Sequence, residues 1–122
     1  MQKILVVDDD VQIVKLIEAC LLPLGHTVVT ASDGSVALTK AQSSPPNLII
    51  ADILMPQMDG PTFISRLWES LRKRDIPIIF LTGLISKTEE KTQNQLFENQ
   101  FFLAKPFEPA RLRELVSRAL RS

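Results

Sequence analysis

A chain of 122 residues can bury one sizeable core but is too short for two comfortable domains. Its 45% hydrophobic and 23% charged residues are those of a soluble globular protein, and 14 basic side chains balance 14 acidic ones, which argues against nucleic-acid binding by bulk charge. The single cysteine, Cys20, excludes an internal disulfide and suits a reducing, cytoplasmic setting, while no apolar run approaches the ~20 residues of a membrane span.

In chain order, Lys3–Val7 reads as a strand that runs into three acids, Asp8, Asp9 and Asp10. Val11–Leu22 carries Ile13, Val14, Leu16, Ile17, Cys20 and Leu21 at helical spacing, and Pro23 with Gly25 stops it. Asp10 could cap this helix or act as a third cation ligand. His26–Ala31 is a second strand; His26, the only histidine, is expected at the surface. Ser32-Asp33-Gly34 turns into a helix from Ser35 to about Gln42, and Ser43-Ser44-Pro45-Pro46 forms a loop. Leu48–Ala51 is an unbroken apolar run, too short for a helix, that fits a strand buried on both faces and ends in Asp52. Pro56 and Asp59-Gly60 then predict a loop, and Pro61 suits a first helical turn.

Phe63, Ile64, Leu67, Trp68 and Leu71 follow at helical spacing, with Trp68 expected in the core. Ile76–Leu81 is a fourth buried strand with Pro77 near its start. The stretch from Ser86 to about Glu98 is helical by propensity but has almost no apolar stripe. Phe101–Ala104 makes a fifth strand, on which one of Phe101 and Phe102 faces the core, and Glu108–Leu120 a last helix. Five strands alternating with five helices imply βαβ units with right-handed crossovers, hence an α/β fold with a parallel sheet covered on both faces.

Parallel order puts all the carboxyl ends of the strands on one edge, where open α/β sheets bind ligands. Asp8, Asp9 and Asp52 would repel one another there without a cation. Hard carboxylate oxygens with no His or Cys nearby select Mg²⁺ or Mn²⁺. Thr82 adds a hydroxyl and Lys105 an ammonium. Carboxylates, a divalent cation, a hydroxyl and an ammonium are what a transferring phosphoryl group requires.

The segments ILVVDDD, ADILMPQMDG, FLTG and FLAKPF, in this order and spacing, resemble the receiver domain of two-component response regulators across essentially the whole chain, 1–122. The resemblance implies one flavodoxin-like, doubly wound domain with strand order 2-1-3-4-5. It implies a regulatory phosphoacceptor domain, not an enzyme as such, which assists its own phosphorylation and dephosphorylation. Asp52 is similar to the acceptor that takes a phosphoryl group from a histidine kinase or phosphotransfer protein. Asp8 and Asp9 match the acidic pair, with Asp9 the direct Mg²⁺ ligand, Asp8 acting through water and the Leu54 carbonyl adding a ligand. Thr82 and Lys105 would hold phosphoryl oxygens, and Lys105-Pro106 matches a cis peptide. Thr82 and Phe102 match the switch pair, whose shift repacks the face of the fourth helix, fifth strand and fifth helix, a surface for an output domain, a partner or a second copy. No direct nucleic-acid contact and no membrane are implied.

Departures from the family pattern are Asn99 in place of a glycine, Phe102 in place of a tyrosine, and apolar Leu54 and Leu84 beside the site. The last two predict slow hydrolysis of the phosphorylated form. An aspartyl-nucleophile phosphohydrolase would share the Asp8-Asp9-Asp10 start, but no Gly-Thr follows and little chain is left for a substrate cap. A nucleotide-binding module would need a Gly-rich loop after the first strand, which is absent. A decayed receiver would not retain all of Asp8, Asp9, Asp52, Thr82 and Lys105.

Overall fold

The chain alternates short apolar segments, each long enough for one strand, with amphipathic ones. The resulting elements are β1 (Lys3–Val7), α1 (Val11–Leu21), a 3-10 turn (Leu22–Leu24), β2 (Thr27–Ala31), α2 (Gly34–Ser43), β3 (Leu48–Asp52), α3 (Gly60–Leu71), β4 (Ile78–Thr82), β5 (Gln100–Ala104) and α4 (Pro109–Arg121). The computed structural model describes residues 2–55, 58–71, 75–83 and 100–121. The predicted helix from Ser86 to Glu98, together with Pro56, Leu84 and Asn99, lies outside the described residues.

All five strands form one parallel sheet in the order β2-β1-β3-β4-β5, so β1 and β3, the two acid-bearing strands, lie side by side at its centre. β3 and β4 are buried along their whole length. Residues alternate between two cores, as a strand's period of two demands. Ile4 and Val6 join Ile17, Leu21, Leu112 and Leu115 beneath α1 and α4. Leu5 and Val7 join Ala37, Ala41, Phe63 and Leu67 beneath α2 and α3. A fully buried Leu or Phe of this kind contributes about 1.5–3 kcal/mol relative to exposure.

Element ends differ from expectation where proline or capping decides them. α1 stops at Leu21, and Leu22–Leu24 tightens into a 3-10 turn because Pro23 offers no N–H to the helical ladder. β4 starts at Ile78, after Pro77, for the same reason. Leu16, counted in the apolar stripe, flanks it and is exposed. α2 begins one residue early, at Gly34, because Asp33 accepts from the Val36 N–H and caps it. No helix among the described residues is long and apolar enough to cross a membrane.

Candidate functional site

The site is assembled on the carboxyl edge of the sheet from the ends of β1, β3, β4 and β5. Asp8 continues β1 by one residue, its N–H donating to the Ala31 carbonyl at 3.2 Å. Its side chain is buried and accepts from the Asp10 N–H at 2.9 Å and from Lys105 Nζ at 2.9 Å. The Asp10 carboxylate accepts from the Gln12 N–H at 2.9 Å and caps α1, the first of its two expected roles. Asp9 between them is exposed. Asp52 closes β3, nearly buried, with one oxygen accepting from the Leu54 N–H at 3.2 Å and the other from Lys105 Nζ at 3.2 Å.

Lys105 therefore bridges the two buried acids, and its main-chain N–H donates to the Thr82 carbonyl at 2.8 Å, which carries the β4–β5 pairing past the end of β5. Its peptide bond to Pro106 is cis. Thr82 is buried at the end of β4, paired in register with Ala104. Burial pushes the Asp8 carboxyl up and outweighs the hydrogen bonds from Lys105 and Asp10 that favour its charged form, while the neighbouring Asp52 charge adds to the rise. Burial alone would lower Lys105, but its contacts with Asp8 and Asp52 prevail and hold its ammonium above the ordinary lysine value.

Asp8, Asp9 and Asp52 each place a carboxylate oxygen within 4.8 Å of the others. With oxygen donors alone, this donor set fits a hard divalent cation such as Mg²⁺. Lys105 already balances part of the charge, so the cluster is incompletely compensated.

A family model, the response regulator receiver domain, matches residues 4–117. The chain belongs to this family. Receiver domains act in two-component signalling, where phosphorylation of an aspartate is their general function. This one is 42% identical over 122 residues to the probable transcriptional regulator ycf27 of Cyanophora paradoxa, covering 96% of this chain and 49% of that protein. The chain thus spans about half the length of the curated relatives it matches. Among solved structures it resembles the chemotaxis protein CheY4 of Vibrio cholerae, with TM-score 0.82, 34% identity and 98% of each chain covered. It equally resembles the receiver domain of the sensor histidine kinase PA1611 of Pseudomonas aeruginosa, with TM-score 0.82, 31% identity, and 99% and 98% of the two chains covered. That structure carries a magnesium ion in its active-site cleft.

Around the receiver site, Phe102 is half-buried and stacks on Phe80, with ring centroids 5.7 Å apart. Phe101 points to the opposite core, under the Arg118 guanidinium. The Leu54 side chain is exposed. His26 corrects its surface expectation: it is half-buried behind the left-handed Gly25, its Nδ1 has no hydrogen-bond partner among the described residues, and burial lowers its pKa. Trp68 is half-buried, not fully in the core, because it sits at the margin of the α3 face that Phe63, Ile64 and Leu67 bury.

Asp59-Gly60, read as loop, proves to be the start of α3. Asp59 accepts from the Thr62 N–H at 2.8 Å, and Gly60 is the first helical residue. A Cβ on Gly60 would lie 2.6 Å from the Asp52 carbonyl oxygen, so only glycine lets α3 begin against the end of β3. The one sequence signal for this was a glycine where the first helical turn was already expected.

Proposed function

We propose that Asp52 is the phosphoacceptor of this receiver domain, and that residues 1–122 form one such domain. The observation that carries this reading is the Lys105 ammonium shared between Asp52 and the buried Asp8. It keeps the Asp52 carboxylate in place and leaves a cation ready for the incoming phosphoryl oxygens. A carboxylate oxygen of Asp52 attacks phosphorus in a phosphohistidine. The O–P bond forms as the P–N bond breaks, the electron pair leaves with the imidazole, and Asp52 becomes an acyl phosphate. Lys105 exchanges its bond to Asp52 for one to a phosphoryl oxygen, and the Thr82 hydroxyl donates to another.

Asp8, Asp9, Asp52 and the Leu54 carbonyl are the ligands we assign to Mg²⁺, with Mn²⁺ an acceptable substitute. The cation, when bound, neutralises charge on the phosphoryl group. With no polar group on Leu54 to orient water, the acyl phosphate is expected to hydrolyse slowly, so the domain's help in its own dephosphorylation is small. The donor is a histidine kinase or phosphotransfer protein. The output passes through Thr82 and Phe102 to the face of β5 and α4, where an output domain, a partner or a second copy would dock. A cytoplasmic setting without membrane or direct nucleic-acid contact agrees with the unpaired Cys20 and balanced charge.

Intact mass after incubation with Mg²⁺ and acetyl phosphate tests the reading. One added phosphate is expected, absent with EDTA and absent in a folded Asp52→Asn variant. An adduct that persists in Asp52→Asn would overturn it.

A further inference from the structure

Phe80 was read from the sequence only as part of a buried strand, yet it stands where the site and the switch aromatic meet. In register across the sheet, Ala51 pairs with Phe80 and Phe80 with Phe102, so the three share one row. On β3 the row crosses one residue before Asp52, and it continues to Val7 of β1. Ala51 and Phe80 are both buried in the core beneath α2 and α3. On one side that ring stacks on Phe102 at 5.7 Å and 29°, within the range where aromatic pairs attract. On the other side its Cε1 atom lies 3.3 Å from the Cβ position that Gly60 leaves empty, the same point that is 2.6 Å from the Asp52 carbonyl oxygen. The Asp52 carbonyl, the start of α3 and the ring of Phe80 therefore border one point that is too tight for a side-chain carbon, and Phe80 in turn stacks on Phe102.

We propose that Phe80 is a positioning residue that ties the seat of Phe102 to the main chain at Asp52. The proposal rests on Asp52 being the phosphoacceptor. Close-packed groups transmit displacement because they have no slack to absorb it. A shift of the Asp52 main chain on phosphorylation presses on the start of α3 and on Phe80, and Phe80 moves the ring stacked upon it. This route runs through side-chain packing and operates beside any movement of Thr82.

The test uses the domain with 4-fluorophenylalanine at its six phenylalanines, the Phe102 ¹⁹F resonance being assigned with Phe102→Leu. Spectra are recorded in Mg²⁺ before and after acetyl phosphate, and intact mass scores the adduct in the same sample. In the unaltered chain the Phe102 resonance moves as the adduct forms. In Phe80→Leu the adduct still forms, while the movement is largely lost. A Phe80 that only stabilised the fold would lower the unfolding midpoint and leave that movement intact, which would overturn the proposal. Absence of any adduct in the unaltered chain removes the acceptor reading, and this proposal with it. Should Phe80→Leu fail to fold, Phe80→Met fills more of the ring's space without its aromatic face and carries the same two outcomes.

Discussion

Asp8 is an acid placed where its own charge is costly. Burial raises its pKa above the ordinary 3.8, so the folded chain holds this proton more tightly than the unfolded chain. The associated stability is full below that ordinary value and is lost as pH rises through the folded value. Asp8→Asn should therefore make the cation-free domain more stable at pH 7. The gain should vanish below pH ~3.8, where Asp8 is protonated in both states. Urea unfolding in EDTA at the two pH values checks this. Asp8, Asp9, Asp52, Thr82 and Lys105 were legible in the sequence because each stands at the polar end of an apolar run. Gly60 and Phe80 were not, because their roles lie in what touches them across the sheet, and a linear pattern does not record which residues share a row.

At the scale of elements, the start of α3 joins two effects of opposite sign. In an ordinary helix Gly→Ala gains about 1 kcal/mol. Gly60→Ala should instead destabilise by about 1–3 kcal/mol, since its Cβ would press on the Asp52 carbonyl, which is backbone and gives little. It should also slow phosphorylation by acetyl phosphate; thermal melts and the time course of the mass adduct check both. Asp59 caps the same helix, and hydrogen bonds from the Thr62 hydroxyl and then its N–H lower its pKa below 3.8. Its contribution is present above that value and is lost as pH falls through the folded pKa. Asp59→Ala should lower the melting temperature at pH 7, and the difference should close in strong acid. Strands were the most readable elements, since β3 and β4 are buried on both faces and show as continuous apolar runs. Their ends, and those of α1 and α2, were less so: whether a residue beside Pro23, Pro77 or Asp33 joins the element depends on which N–H finds an acceptor.

For the molecule as a whole, cation binding and folding are one equilibrium. The three carboxylates converge only when β1 and β3 are paired, so a cation that binds them adds directly to stability. Mg²⁺ at one hundred times its dissociation constant should add about 2.7 kcal/mol, reversed by EDTA, as read from urea midpoints. The sheet order was expected through the family resemblance; apolar periodicity alone would have allowed others. The bond between Lys105 and Asp8 joins residues 97 apart in the chain. Closing so long a loop is entropically slow, and the bond needs β5 in place beside β4. A nascent chain that has not yet emerged through residue 105 must carry its acids without their resident counter-ion, so the site gains the partial compensation of Lys105 only once β5 has been made.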